Sequence, residues 1–265
     1  MRGALGGAGR LLVVAAVVTL VVSACGQTLT TSEGVAPVTT VAPSTTTSTT
    51  APPPNPCPQP TAPADALTGT MLASPTSWNL PLSASPGGPV TTKWTENWGG
   101  PATRPVLAEQ NGWVQVALET RPNGSSAWVP ATDVTMTSTT MSIVVSICNR
   151  SLTLFDGSKA TYTAQVGVGE PQWQTPQGGT FVDSIVATPS SQLYIYGPTV
   201  LILGLHSDVF TTFDGGDGTV AIHGYPSDPG STLGVMSSHG CVRASATTIN
   251  MIKQVPVGTP VSIVT

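Results

Sequence analysis

The sequence predicts a mainly β protein with one helix close to the C-terminus. Only 8% of its 265 residues are charged, while Gly (28) and Pro (25) are plentiful. That composition suits turns and strands better than long helices laced by ion pairs. From about residue 65, short apolar runs alternate with turn signals such as Asn111-Gly112 and Asp156-Gly157, the pattern of strands joined by hairpins. The net charge is only −4 and no basic cluster occurs, which argues against a nucleic-acid partner.

Residues 1–24 read as a targeting segment. Arg2 and Arg10 precede an apolar run from Leu11 to Val22 broken only by Thr19. The run is too short to span a bilayer comfortably and suits a signal-peptide core. It ends in Val22-Ser23-Ala24-Cys25, which resembles a bacterial lipobox. The resemblance implies cleavage before Cys25 and lipid on its thiol, in preference to an ordinary secretory signal or an uncleaved anchor. A multiply acylated cysteine would hold the chain to the membrane firmly. The expected location is the cell envelope, at the outer face of the cytoplasmic membrane.

Residues 25–64 are expected to be a tether. Between Gly26 and Ala64 the chain is mostly Thr, Pro, Ser and Ala, includes Pro52-Pro53-Pro54, and shows no apolar periodicity. Such a composition buries too little apolar surface to offset the entropy of ordering. With Cys25 lipidated and Cys241 reactive, Cys57 and Cys148 are the pair left over. Two readings stand side by side: a disulfide formed outside the cytoplasm, or a Cys148 that is a small buried hydrophobe.

Residues 65–137 form the first expected unit, with strands at Thr68 to Ala73, Pro105 to Glu109, Trp113 to Leu118 and Ala127 to Val129. Gly112-Trp113-Val114 and the later Ala127-Trp128-Val129 resemble the closing strands of a small SH3-like β-barrel, with Ala127 in place of the usual glycine. Trp113 and Trp128 are expected in its core. For Trp94 and Trp98, beside Gly99-Gly100, core filling and stacking on a wall polymer both remain open.

Residues 138–265 form the second unit, also β-rich. Strands are expected at Ser142 to Ile147, Leu152 to Phe155, Ala160 to Val168, Gly178 to Val186, Leu193 to Tyr196, Thr199 to Leu203, Thr219 to His223 and Pro260 to Val264. The helix follows Ser245, a good N-cap; Ile249, Ile252 and Val255 share a face and Pro256 stops it.

The second unit carries the chemistry. Ile222-His223-Gly224 is followed, after fourteen residues from Gly224 to Ser237, by Ser238-His239-Gly240-Cys241-Val242-Arg243. A thiol is mostly protonated at neutral pH and needs a base or a lowered pKa. His223 ends a strand, and the intervening loop can return Cys241 to it. The amides of His239, Gly240 and Cys241 form a natural oxyanion hole, with Gly240 letting the backbone turn tightly. Zinc ligation by His223, His239 and Cys241 is the rival reading, but no fourth ligand stands at convincing spacing.

This pattern resembles the catalytic signature of the L,D-transpeptidases, the YkuD domain. Thr175-Pro176-Gln177-Gly178 and Pro256-Val257-Gly258-Thr259-Pro260-Val261 add to the likeness. The resemblance implies that Cys241 is the nucleophile, that His223 is its base, and that the Gly224 carbonyl orients the imidazole. It places His239, Ser238 and Tyr196 along the substrate path, although a core role for Tyr196 is equally open. Arg243 has two readings, a bidentate ligand for a substrate carboxylate or, slightly preferred, a clamp on the catalytic loop. The implied function is peptidoglycan 3→3 cross-linking on stem peptides, with no cofactor or metal and with carbapenems as covalent inhibitors. The alternatives are an L,D-carboxypeptidase of the same fold and a catalytically silent wall-binding lipoprotein.

Overall fold

A computed structural model describes residues 56–95, 102–213, 215–227 and 230–265. The leader, Cys25, most of the tether and Trp98 lie outside the described residues. The fold is mainly β: an antiparallel N-terminal sheet and a second sheet curled into a half-barrel, with a few short helices.

The first sheet is built from β1 (Thr70–Pro75), β2 (Leu80–Ser83), β3 (Val90–Trp94), β4 (Arg104–Gln110), β5 (Trp113–Ala117), β6 (Ser126–Pro130) and β7 (Val134–Thr139). Their order is β3-β2-β6-β5-β4-β1-β7, and every pairing is antiparallel. A short helix α1 (Ala64–Thr68) precedes it, so the first strand starts later than Thr68.

Period-two alternation decides which tryptophan is inside. Val114, Val116, Ala127 and Val129 point into the core with Leu82 and Trp94. Trp113 and Trp128 are their chain neighbours, so they fall on the other face and are half-buried, contrary to the sequence expectation. Trp94, at 1% exposure, is core instead. The guanidinium of Arg104 lies 5.0 Å from its ring centroid and pairs with Glu119.

The second sheet contains β8 (Met141–Ser146), β9 (Ser151–Asp156), β10 (Lys159–Gln165), β12 (Gly178–Ala187), β13 (Thr199–His206), β14 (Thr219–His223), β16 (Val242–Arg243) and β17 (Pro260–Val264). The order is β10-β9-β8-β17-β12-β13-β14-β16. Two pairings are parallel, β17 with β8 and β14 with β16. Two further short strands, β11 (Val168–Gly169) and β15 (Met236–Ser238), pair with each other. The main core lies under this sheet and includes Ile143, Leu152, Leu201, Leu203, Ile222, Val242 and Ile263.

Two helices complete the unit. Leu193–Tyr196 is helix α2, not the expected strand. Its Leu, Tyr and Ile side chains favour strands, but Pro189 and Gly197 enclose a span with room only for a 3₁₀ turn and one helical turn. Helix α3 (Ala246–Ile252) begins where expected but ends at the Lys253 cap, before Val255 and Pro256. Ser245 caps it, its hydroxyl accepting from the Thr248 amide at 3.0 Å, and Ile249 and Ile252 are buried.

Cys57 and Cys148 form a disulfide. Asn149 Nδ2 donates to the Pro58 carbonyl at 2.6 Å. Together these fasten the segment ahead of α1 to the turn between β8 and β9.

Candidate active site

The register between β14 and β16 sets the site. Ile222 pairs with Val242 and His223 with Arg243. Ile222 and Val242 are wholly buried in the main core. Alternation therefore turns Ala221, His223, Cys241 and Arg243 to the opposite face. There Cys241 packs against a small apolar group of Val200, Ile202, Ala221 and Tyr196. Residues far apart in sequence reach one face because two strand ends lie side by side.

His223 is 3% exposed. Its Nδ1 donates to the Gly224 carbonyl at 2.5 Å. A carbonyl only accepts, so Nδ1 carries the proton and Nε2 keeps a lone pair. The Tyr196 ring stands edge-on to the imidazole, with centroids 4.9 Å apart. The Gly224 amide donates to the Tyr196 carbonyl at 3.0 Å, so α2 braces the base from behind. Burial pushes the His223 pKa down to about 4, opposed by the Gly224 bond and aided by the Arg243 charge. The imidazole is therefore neutral at physiological pH.

Cys241 is partly exposed. Burial of its sulfur pushes the thiol pKa up, against a backbone hydrogen bond with Ala221 and the Arg243 charge. A thiol held neutral can attack only as its proton is removed, which is general-base activation rather than a standing ion pair.

The turn before Cys241 is braced from inside. Gly240 has φ +122°, a region open to glycine and not to other residues. Ser238 is 1% exposed. Its Oγ accepts from the Gly240 amide at 3.1 Å and donates to the Cys241 carbonyl at 2.5 Å. Ser238 is thus a buried brace of this turn, and the Gly240 amide is engaged by its hydroxyl. Both follow from a hydroxyl that can accept and donate at once.

Arg243 also holds the turn. Its Nη1 donates to the Ser237 carbonyl at 2.7 Å, and its guanidinium lies 3.9 Å from the Tyr225 ring centroid. Its backbone exchanges two 2.8 Å hydrogen bonds with Gly167. These contacts tie Arg243 to the loop that carries Cys241.

His239 faces a different set of residues. Its ring stacks on Trp173 with centroids 4.1 Å apart. Phe213 lies 5.5 Å and Phe210 6.2 Å away. The Glu170 amide donates to the Ser238 carbonyl at 2.9 Å, which ties the Trp173 turn to the thiol turn. Sequence reasoning missed Trp173, Phe210 and Phe213. Their only signal is that three aromatics stand outside any apolar run, in turn-rich stretches. The site thus has a thiol wall, residues 237–243 with His223, and an aromatic wall formed by Trp173, Phe210 and Phe213.

This architecture belongs to a known class. Residues 140–263 match the YkuD family, described as the L,D-transpeptidase catalytic domain. Residues 140–263 of the second unit are therefore a YkuD domain, the L,D-transpeptidase catalytic domain. Among solved structures, LD transpeptidase LdtMt1 in complex with imipenem is 17% identical with a TM-score of 0.39, over 78% of this chain and 88% of that one. L,D-transpeptidase 3 from Mycobacterium tuberculosis with a faropenem-derived adduct is 16% identical with a TM-score of 0.38, over 60% and 97%. Bd1075 from Bdellovibrio bacteriovorus is 20% identical with a TM-score of 0.37, over 46% of this chain and 47% of that one, so this chain spans about half its length. No curated protein matches the sequence.

Proposed function

We propose that the protein is a peptidoglycan L,D-transpeptidase that forms 3→3 cross-links through a thioester on Cys241. The observation that carries the reading is the His223 tautomer. With Nδ1–H given to the Gly224 carbonyl, Nε2 is the nitrogen able to take a proton, and the strand register puts His223 and Cys241 on one face.

In the first half-reaction Nε2 accepts the thiol proton as sulfur bonds to the carbonyl carbon of the third stem residue. With the Gly240 amide engaged by Ser238, the developing oxyanion is met by the amides of His239 and Cys241. The C–N bond to the terminal D-alanine then breaks, and its nitrogen leaves with the proton from Nε2. In the second half-reaction a side-chain amine of another stem attacks the thioester and loses a proton to Nε2, and the C–S bond breaks. This is ping-pong acyl transfer by one thiol and one base. A carbapenem would acylate the same sulfur by opening its lactam.

The same reading puts the chain outside the cytoplasm. The Cys57–Cys148 disulfide supports an oxidising compartment, and Val22-Ser23-Ala24-Cys25 supports a lipid anchor at Cys25. The first unit, SH3-like by its Gly112-Trp113-Val114 strand, then stands between tether and catalyst.

The test incubates the full-length protein with a disaccharide-tetrapeptide and reads products by mass. A cross-linked dimer is expected, with no dimer and no carbapenem adduct for Cys241→Ala. Tripeptide alone would assign the L,D-carboxypeptidase. Unchanged substrate together with no carbapenem adduct on the unsubstituted protein would sink both enzymes.

A further inference from the structure

Part of the aromatic wall is held from outside the unit that carries the thiol. Phe210 and Phe213 sit in the connection between β13 and β14, and that connection is gripped from the first unit. Arg121 Nη1 donates to the Ser207 carbonyl at 2.9 Å. Its Nη2 donates to the Phe210 carbonyl at 2.8 Å and the Asp217 carbonyl at 3.0 Å. One planar guanidinium thus gathers both ends and the middle of the loop, a geometry that the fixed fork of arginine suits. Asn123 adds a reciprocal pair on the neighbouring residue: its Nδ2 donates to the His206 carbonyl at 2.7 Å, and its Oδ1 accepts from the His206 amide at 2.8 Å.

The effect concentrates on Phe210. Its carbonyl is fixed by Arg121, and its amide donates to Ser207 Oγ at 3.0 Å. A residue whose peptide groups are held on both sides has its Cα–Cβ direction set, which confines its ring to a few staggered rotamers. That ring lies 6.2 Å from Trp173 and 5.2 Å from Phe213, and Trp173 and Phe213 flank His239. The loop closes tightly under Arg121. Gly218 has φ +78°, and a Cβ there would fall 2.3 Å from the Phe210 carbonyl oxygen and 3.1 Å from Arg121 Nη2.

We infer that Arg121, seconded by Asn123, is a positioning residue of the active site: the first unit sets the aromatic wall over His239, and so sets how the acyl-donor stem is seated against Cys241. This deepens the transpeptidase reading and rests on it for the identity of the seated ligand. Arg121 acts through the loop carbonyls and touches neither Cys241 nor His223.

Three readouts on the full-length protein test this, with Arg121→Ala and Arg121→Lys. The first is hydrogen exchange of amides in 207–213 and 215–218, joined by the ring-proton shifts of His239, which the stacked Trp173 governs. The second is the concentration dependence of Cys241 acylation by a stem tetrapeptide. The third is alkylation of Cys241 by iodoacetamide, which is too small to need the wall. Expected for Arg121→Ala are faster loop exchange, moved His239 shifts and a roughly tenfold weaker half-saturation for the tetrapeptide, with alkylation unchanged. Arg121→Lys, offering a point charge instead of a fork, recovers part of the saturation and not all. Unchanged loop exchange and His239 shifts would overturn the inference. So would equal losses in acylation and alkylation, which report a general effect on the fold. If the unsubstituted protein does not acylate with tetrapeptide or carbapenem, the transpeptidase reading fails by itself, and exchange with His239 shifts still decides whether Arg121 sets the wall.

Discussion

The thiol wall and the aromatic wall meet at His239 but are held by bonds of different reach. On the thiol side, Ser238, Gly240 and Cys241 brace one another within four residues, and Arg243 reaches back to Ser237. On the aromatic side, the loop bearing Phe210 and Phe213 is fixed by Arg121, 86 to 96 residues earlier in the chain. The geometry of the Cys241 turn is thus a local property of a short segment on a strand end, whereas the aromatic surface depends on how two sheets meet. On the proposed function, substrate preference could be tuned through a contact distant in sequence from the thiol while the chemistry stays constant.

The strongest test of that separation removes the base and leaves the aromatic wall alone. His223→Gln keeps a side chain able to bond the Gly224 carbonyl but cannot take the thiol proton. Acylation of Cys241 should fall about 10²- to 10⁴-fold, while the His239 ring shifts stay in place. A loss under about tenfold would mean that another group serves as base, and a moved His239 spectrum would mean that the two walls are not independent.

A smaller effect reports how dry the thiol side is. Burial holds His223 near a pKa of about 4, against 6.5 for the free side chain. The unfolded chain therefore takes up this proton first as pH falls. The stability present above pH 6.5 is lost progressively toward pH 4, a change of about 3 kcal/mol. His223→Gln lacks that loss. Urea unfolding of both proteins at pH 7 and pH 4 should show the variant gaining about 3 kcal/mol relative to the unsubstituted protein at the lower pH. Asp183 runs in the opposite sense. Burial and the Glu119 charge raise its pKa from 3.8 to about 6, so its contribution is full below 3.8 and is lost as pH rises through 6. It is common to both proteins and cancels in the difference. A constant gap between them across this range would show an imidazole that is solvated after all.

The local wall was the legible one. His223 and Cys241 stand out because a base and a thiol with glycines at their shoulders need only short-range chemistry to be read, and the strand ending at His223 follows from its apolar run. Four of the seven strands of the first sheet and seven of the eight of the second are legible for the same reason, while β2, β3, β7 and β16 are not. The errors share a cause as well. Trp113 and Trp128 were expected in the core because tryptophan is large and apolar, but pairing register placed them outward and Trp94 inward. Leu193–Tyr196 was expected as a strand because local propensity does not show that no sheet edge is offered to it. Phe210, Phe213, Trp173 and Arg121 become a group only through contacts between distant segments, which no periodicity encodes. The role of Ser238 is not legible in sequence, since a serine beside a thiol looks the same whether it faces a ligand or the backbone.

That last assignment gives the smallest and most local prediction. If Ser238 braces the turn, Ser238→Ala leaves the buried Gly240 amide without its acceptor and the Cys241 carbonyl without its donor. An unsatisfied buried group costs about 1–3 kcal/mol. The expected result is a stability loss near 2 kcal/mol in urea unfolding, with half-saturation by the tetrapeptide unchanged. A substrate contact would give the reverse, with stability intact and half-saturation weakened. The aromatic wall is the internal control: its loop exchange should not respond to Ser238→Ala, because Arg121 holds that loop from outside the catalytic unit.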